Sequence, residues 1–89
     1  MNTAEVIKTV NDRCPNTCND EEKLAYVNEI ETIVQKELLD IEPEQMKSPI
    51  TSENQTDELL LVKPFDVIYV YYVASMVCQA MEEWDSFNS

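Results

Sequence analysis

The sequence predicts a small all-α domain: three helices, a long loop, and one short extended segment just before the C-terminal helix. Three observations predict it. Leu24, Val27, Ile30, Val34 and Leu38 step by three and four residues, the spacing of one helix face. The run Val67 to Met81 (VIYVYYVASMVCQAM) holds no charge, Gly or Pro, and Asp66, Glu82, Glu83 and Asp85 flank it. That run is too long for one strand and shorter than the ~20 apolar residues of a membrane span. Finally, Gly is absent from all 89 residues, which disfavours folds built on many positive-φ turns and excludes Gly-rich phosphate loops.

The elements follow in order along a single domain, 1–89. The first helix is expected over about 3–12. Asn2 or Thr3 can cap it, Glu5 stands three residues after Asn2 as in a capping box, and Val6, Ile7 and Val10 make a narrow apolar stripe. Pro15 ends it, with Asn16 and Thr17 in the turn. The second helix is expected over about 20–40, capped by Asn19, with Asp20, Glu21 and Glu22 in the first turn where the helix dipole favours them. Ile33 and Ile41 widen its stripe, while Lys23, Glu29, Glu31, Lys36 and Glu37 sit mostly outside it.

Residues 41–58 (IEPEQMKSPITSENQTDE) read as a long loop with Met46 and Ile50 as anchors. Leu59 to Val62 read as an extended segment, 59–62, with no second strand in the chain to pair with. Pro64 suits a first helical position, so the third helix is expected over about 64–87. One face gathers Phe65, Ile68 or Tyr69, Tyr72, Met76, Ala80 and Trp84, with Val73, Val77 and Met81 beside it; Val70 and Tyr71 point elsewhere. A helix apolar almost all round needs cover on more than one side. A chain this short is expected to lack enough cover of its own, which points to assembly.

Composition narrows the function. With 18 acidic and 6 basic residues the net charge is -12, which disfavours direct contact with a nucleic-acid backbone. It permits a basic partner or mimicry of a polyanion. His is absent, removing the commonest general base and metal ligand. Cys14, Cys18 and Cys78 are expected as free thiols in a reducing compartment, two in a surface turn and one in the core. Cys14 and Cys18 lack a second close pair of ligands, so no metal and no cofactor is expected. Glu82, Glu83 and Asp85 read as a solvated helix end that a basic partner could relieve. Tyr69, Tyr71 and Tyr72 cannot share one face; core packing and a subunit contact both fit them. Ser75 has no base beside it, and the chain is not expected to be an enzyme.

Several stretches carry a family likeness: Pro15-Asn16-Thr17; Asp20-Glu21; Val27-Asn28-Glu29-Ile30-Glu31; Asp57-Glu58-Leu59-Leu60-Leu61; Pro64-Phe65-Asp66-Val67-Ile68-Tyr69-Val70-Tyr71-Tyr72; and Glu83 to Ser89. Their layout resembles small structural proteins of tailed-phage genomes in Firmicutes, of the head–tail connector or head-completion type. The resemblance implies an all-helical virion subunit that forms a homo-oligomeric ring between portal and tail proteins, made in the host cytoplasm and carried in the virion. It carries no catalytic residue. Relatives commonly continue past the position of Ser89, and Cys14 and Cys18 stand where other residue types are expected.

The expected subunit interface is Leu59, Leu60, Leu61, Val62, Val70, Tyr71, Met81 and Trp84. No membrane contact is expected. The competing reading is an acidic binding module, such as a phage-encoded DNA mimic or an inhibitor of a basic host protein.

Overall fold

The fold is all-α, as a computed structural model describes it for residues 1–88, with side chains for residues 1–85. Helix α1 spans Thr3–Arg13, α2 Asp20–Ile33 and α3 Val67–Asn88. The two helix starts are set locally. Asn2 accepts a hydrogen bond from the Glu5 N–H at 2.9 Å, and Glu5 accepts one from the Asn2 N–H at 3.0 Å, completing the capping box. Asn19 caps α2 by accepting from the Glu22 N–H at 2.8 Å.

The core lies where α1 and α2 meet α3. Val6 and Val10 from α1, Val27 and Ile30 from α2, Val34 just beyond it, and Tyr69, Val70, Val73 and Val77 from α3 are all buried. At about 100° per residue, the buried positions of α3 with half-buried Ile68, Tyr72, Ala74 and Met81 cover roughly two-thirds of its circumference. The helix therefore finds most of its cover inside one chain. Val67, Tyr71 and Trp84 nevertheless stay exposed, so the cover one chain supplies is incomplete. The buried face is also rotated from the expected one: Val70 belongs to the core, while Phe65 and Trp84 are exposed.

Helix α2 widens at its end into a π-type turn, Val34–Leu38, closed by the Leu39 N–H on the Val34 carbonyl at 2.9 Å. Val34 and Gln35 are its last buried positions, so Leu38, expected on the core face, lies exposed past the end of the core. The chain then reverses through Asp40, whose φ of 51° is the one left-handed value among the described residues. A short polar side chain takes that conformation here, in a chain without glycine.

The long loop is not a free connector. A short 3-10 turn, Pro43–Gln45, begins it. Asn28 of α2 then clamps Ile50 at both backbone groups, donating to its carbonyl at 2.9 Å and accepting from its N–H at 2.7 Å. Gln35 accepts from the Lys47 N–H at 2.8 Å. Glu31 accepts from the Leu60 N–H at 3.0 Å and from the Tyr69 hydroxyl at 2.7 Å, and that hydroxyl accepts from the Leu61 N–H at 3.0 Å. Each bond contributes about 0.5–1.5 kcal/mol net. Fixing one backbone residue costs about 1–2 kcal/mol. One clamp therefore orders only a residue or two, and the loop depends on the whole series together with Ile50, Leu60 and Leu61 packing on the core.

Residues 59–62 join no strand among the described residues; Leu60 and Leu61 pack on the core, and the N-terminus lies beside Glu58 and Leu59. Asn2 and Glu58 form an isolated antiparallel bridge, the Leu59 N–H donates to the Met1 carbonyl at 3.0 Å, and the Ala4 N–H donates to the Gln55 carbonyl at 3.2 Å. The Met1 ammonium sits 2.8 Å from Glu58 and 3.7 Å from buried Asp66. Residues 63–66 are a turn, entered by the Phe65 N–H on the Val62 carbonyl at 2.9 Å, and the Lys63–Pro64 peptide is cis. Helix α3 thus begins at Val67 and not at Pro64, since the turn occupies the positions a first helical turn would need.

Two outcomes follow. Asn28→Ala removes both bonds to Ile50 and leaves its backbone groups unpaired, so stability falls by about 1–3 kcal/mol. Hydrogen exchange should then quicken at residues 47–51 while the centres of α2 and α3 stay protected; equal quickening throughout would contradict the clamp. The second outcome concerns alkali. The Met1 ammonium is raised above its ordinary 8.0, chiefly by its hydrogen bond to Glu58. Burial raises the Tyr69 and Tyr72 phenols above 10.0, with Glu31 and Glu29 as acceptors adding to it. A folded pKa above the unfolded one means stability that is complete at lower pH and lost as pH rises. Urea midpoints should therefore hold up to pH ~8, then fall, most steeply above ~10 where unfolded tyrosine ionises first. Tyr72→Phe should make that last fall shallower, and a midpoint rising between pH 8 and 10.5 would contradict the assignment.

Candidate assembly surface

The expected interface residues divide three ways. Leu59 and Val70 are buried at 4% and 5% exposure and belong to the chain's own core, which corrects their assignment to a subunit contact. Leu59 is drawn in because its backbone pairs with Met1, and Val70 because α3 is flanked by both other helices. Leu60, Leu61 and Met81 are half-buried and pack against the core. Val62, Tyr71 and Trp84 remain exposed, at 67%, 64% and 63%.

Val62 and Tyr71 are joined by Phe65, expected on the face of the third helix, and by Val67, which was assigned to no face. Phe65 and Val67 are also exposed, at the head of α3. Val62 and Phe65 close one turn, and Val67 and Tyr71 are one helical turn apart on the side away from Val73. Single exposed apolar residues are ordinary on a protein surface, but a cluster of large ones asks for a reason. Phe65 was missed because a helix begun at Pro64 carries it into the buried stripe.

From this cluster the surface continues towards α2. Tyr71 borders a shallow groove of about 470 Å³, lined also by Ile30, Ile68, Tyr72, Ser75, Met76 and Gln79. Tyr72 separates it from a second groove of about 590 Å³ that reaches Ile33 and Pro49. The Tyr72 hydroxyl donates to Glu29 at 3.0 Å, so the wall between the grooves is held in place. Exposed Leu38 and Leu39 follow at the end of the π-type turn. At the other end of α3, Trp84 and Met81 border a cleft of about 500 Å³ with Thr17, Cys18, Glu22 and Ala80.

The thiols are placed differently from expectation. Cys78 is exposed on the outer side of α3, not in the core, and Cys14 and Cys18 are half-buried. Burial and the nearby Glu22 raise the Cys18 thiol. No group of three or more His, Cys, Asp or Glu side chains is arranged to hold a metal ion among the described residues. No helix among them is long and apolar enough to cross a membrane.

What the surface offers chemically is apolar area beside carboxylate charge. No family model, curated protein or solved structure matches this chain.

The division between core and surface has a direct check. Tyr71→Ser should shift unfolding free energy by no more than about 0.5 kcal/mol. Val70→Ser, one residue earlier, should cost about 2 kcal/mol or more, by lost packing and a buried hydroxyl. Chemical denaturation of the two variants that gave equal costs would contradict the rotated helix face.

Proposed function

We propose that this chain is a non-enzymatic structural subunit of a phage or prophage virion, a head–tail connector that assembles as a ring between portal and tail proteins. The reading rests on the sequence resemblance, and one structural observation carries it further. From Leu59 to Met81 the sole acidic residue is Asp66, and that carboxylate is buried beside the Met1 ammonium. The exposed apolar cluster Val62, Phe65, Val67 and Tyr71 lies on this stretch. An otherwise acidic chain thus keeps its least charged stretch where four of its exposed large apolar side chains are. Such a surface suits a contact with further copies of the chain and with neighbouring virion proteins, where burying apolar area gives the affinity and nearby carboxylates limit wrong pairings.

The test is assembly of the purified chain with the portal ring encoded in the same genome. Light scattering and negative-stain microscopy should show a ring-sized complex, and the double variant Phe65→Ser with Tyr71→Ser should fold but fail to join it. A chain that stays monomeric at all concentrations and never binds portal would sink the proposal. Salt-sensitive capture of a basic enzyme in its place would support the acidic-module reading.

A further inference from the structure

Cys14 and Cys78 stand 64 positions apart in sequence, yet their sulfur atoms lie 3.2 Å apart. The juxtaposition is built from both sides. Cys14 caps the end of α1, its N–H bonded to the Val10 carbonyl at 2.8 Å. The Asn16 side chain donates to the Cys14 carbonyl at 2.9 Å and accepts from the Cys18 N–H at 3.1 Å, which fixes the turn that follows. Cys78 comes from the middle of α3, on the same outward side as Tyr71. Cys18, four residues from Cys14, packs instead against the core.

We propose that Cys14 and Cys78 are a reversible dithiol–disulfide pair, a redox modification site that takes a small disulfide such as oxidised glutathione as its oxidant. Cys78 is exposed and Cys14 half-buried, so Cys78 reacts first. Its thiolate attacks one sulfur of oxidised glutathione, breaking that S–S bond and releasing one glutathione thiolate. The Cys14 thiolate then attacks the Cys78 sulfur of the mixed disulfide, forms the Cys14–Cys78 bond and releases the second glutathione. Two protein thiols are oxidised, one glutathione disulfide is reduced to two thiols, and the two protein protons end on them. The hydrogen bond between the two sulfurs, with Glu82 one turn further along α3, raises the Cys78 thiol.

A disulfide needs its sulfurs near 2.05 Å, so from 3.2 Å they have about an ångström to close. The bond closes a loop of most of the chain and joins the end of α1 to α3 directly. Closing so long a loop removes much freedom from the unfolded chain.

The experiment equilibrates the full chain in glutathione buffers of graded redox poise, then blocks free thiols and maps linked peptides by mass spectrometry without reduction. The expected product is the Cys14–Cys78 crosslink with Cys18 free. The oxidised chain should melt about 8 °C or more above the reduced one. Cys18→Ser should keep that rise, and Cys14→Ser and Cys78→Ser should each lose it. The mapping needs no variant, so it decides even where a substitution harms folding. A crosslink through Cys18, a glutathione adduct on Cys78 that never closes, or equal melting of both forms would overturn the proposal.

Discussion

A carboxylate buried between α2 and α3 decides where the second half of this chain can run. Glu31 has one oxygen on the Tyr69 hydroxyl and the other on the Leu60 N–H. Three residues before it, Asn28 holds Ile50, and four after it, Gln35 holds Lys47. These three side chains form a polar column up one side of α2, and each bonds to backbone of the loop or of the segment after it. The column works because its members are only just inside the surface. An unpaired buried carboxylate or amide costs more than one made bond contributes, so the loop is held mainly by the penalty for leaving. Apolar residues in the same places would remove that penalty and with it the specified path.

The path matters for α3. Once the loop is fixed on α2, Leu59 is carried under the N-terminus and Leu60 and Leu61 come to lie against the core. Loop, α1 and α2 then share the covering of a helix that no one of them could cover alone. Most of the core in α1 and α2 is valine, a compact side chain that allows close approach, and the one large fully buried residue is Tyr69. Its hydroxyl would be a liability there without Glu31 and the Leu61 N–H. The polar column and the apolar core are therefore one construction.

What the sequence made legible was local. The Asn2 and Asn19 caps, the valine steps of the first two helices and the extent of α3 at its far end depend on residues within a turn or two of one another. The missed features depend on distant pairs. Glu31 was placed outside the stripe because a carboxylate on a helix is usually solvated, and nothing nearby in sequence announced Tyr69, 38 positions on. Pro64 has the right chemistry for a helix start, but residues 63–66 form a turn, with Asp66 buried beside the distant Met1 ammonium. The same misplacement put Phe65 in the expected buried stripe; Val70 was left outside the core because α3 is apolar almost all round, so periodicity alone did not choose its inner face. Cys14 was paired in thought with Cys18 by spacing, whereas the fold brings Cys78 to it.

Charge gives the remaining surface its direction. Every acidic residue except Glu31 and Asp66 is exposed, so the molecule repels its own copies over most of its skin. Salt at physiological strength confines such repulsion to about 8 Å. Contact is then governed by what lies within that distance of the touching atoms. Around Val62, Phe65, Val67 and Tyr71 the nearest charge along the chain is Lys63, and Asp66 has been turned inward. The ion pair that holds Asp66 beside Met1 removes a carboxylate from the apolar cluster. Were Asp66 solvated, the same four side chains would sit beside a charge that must be stripped of water on contact, and the cost would offset much of what their burial contributes.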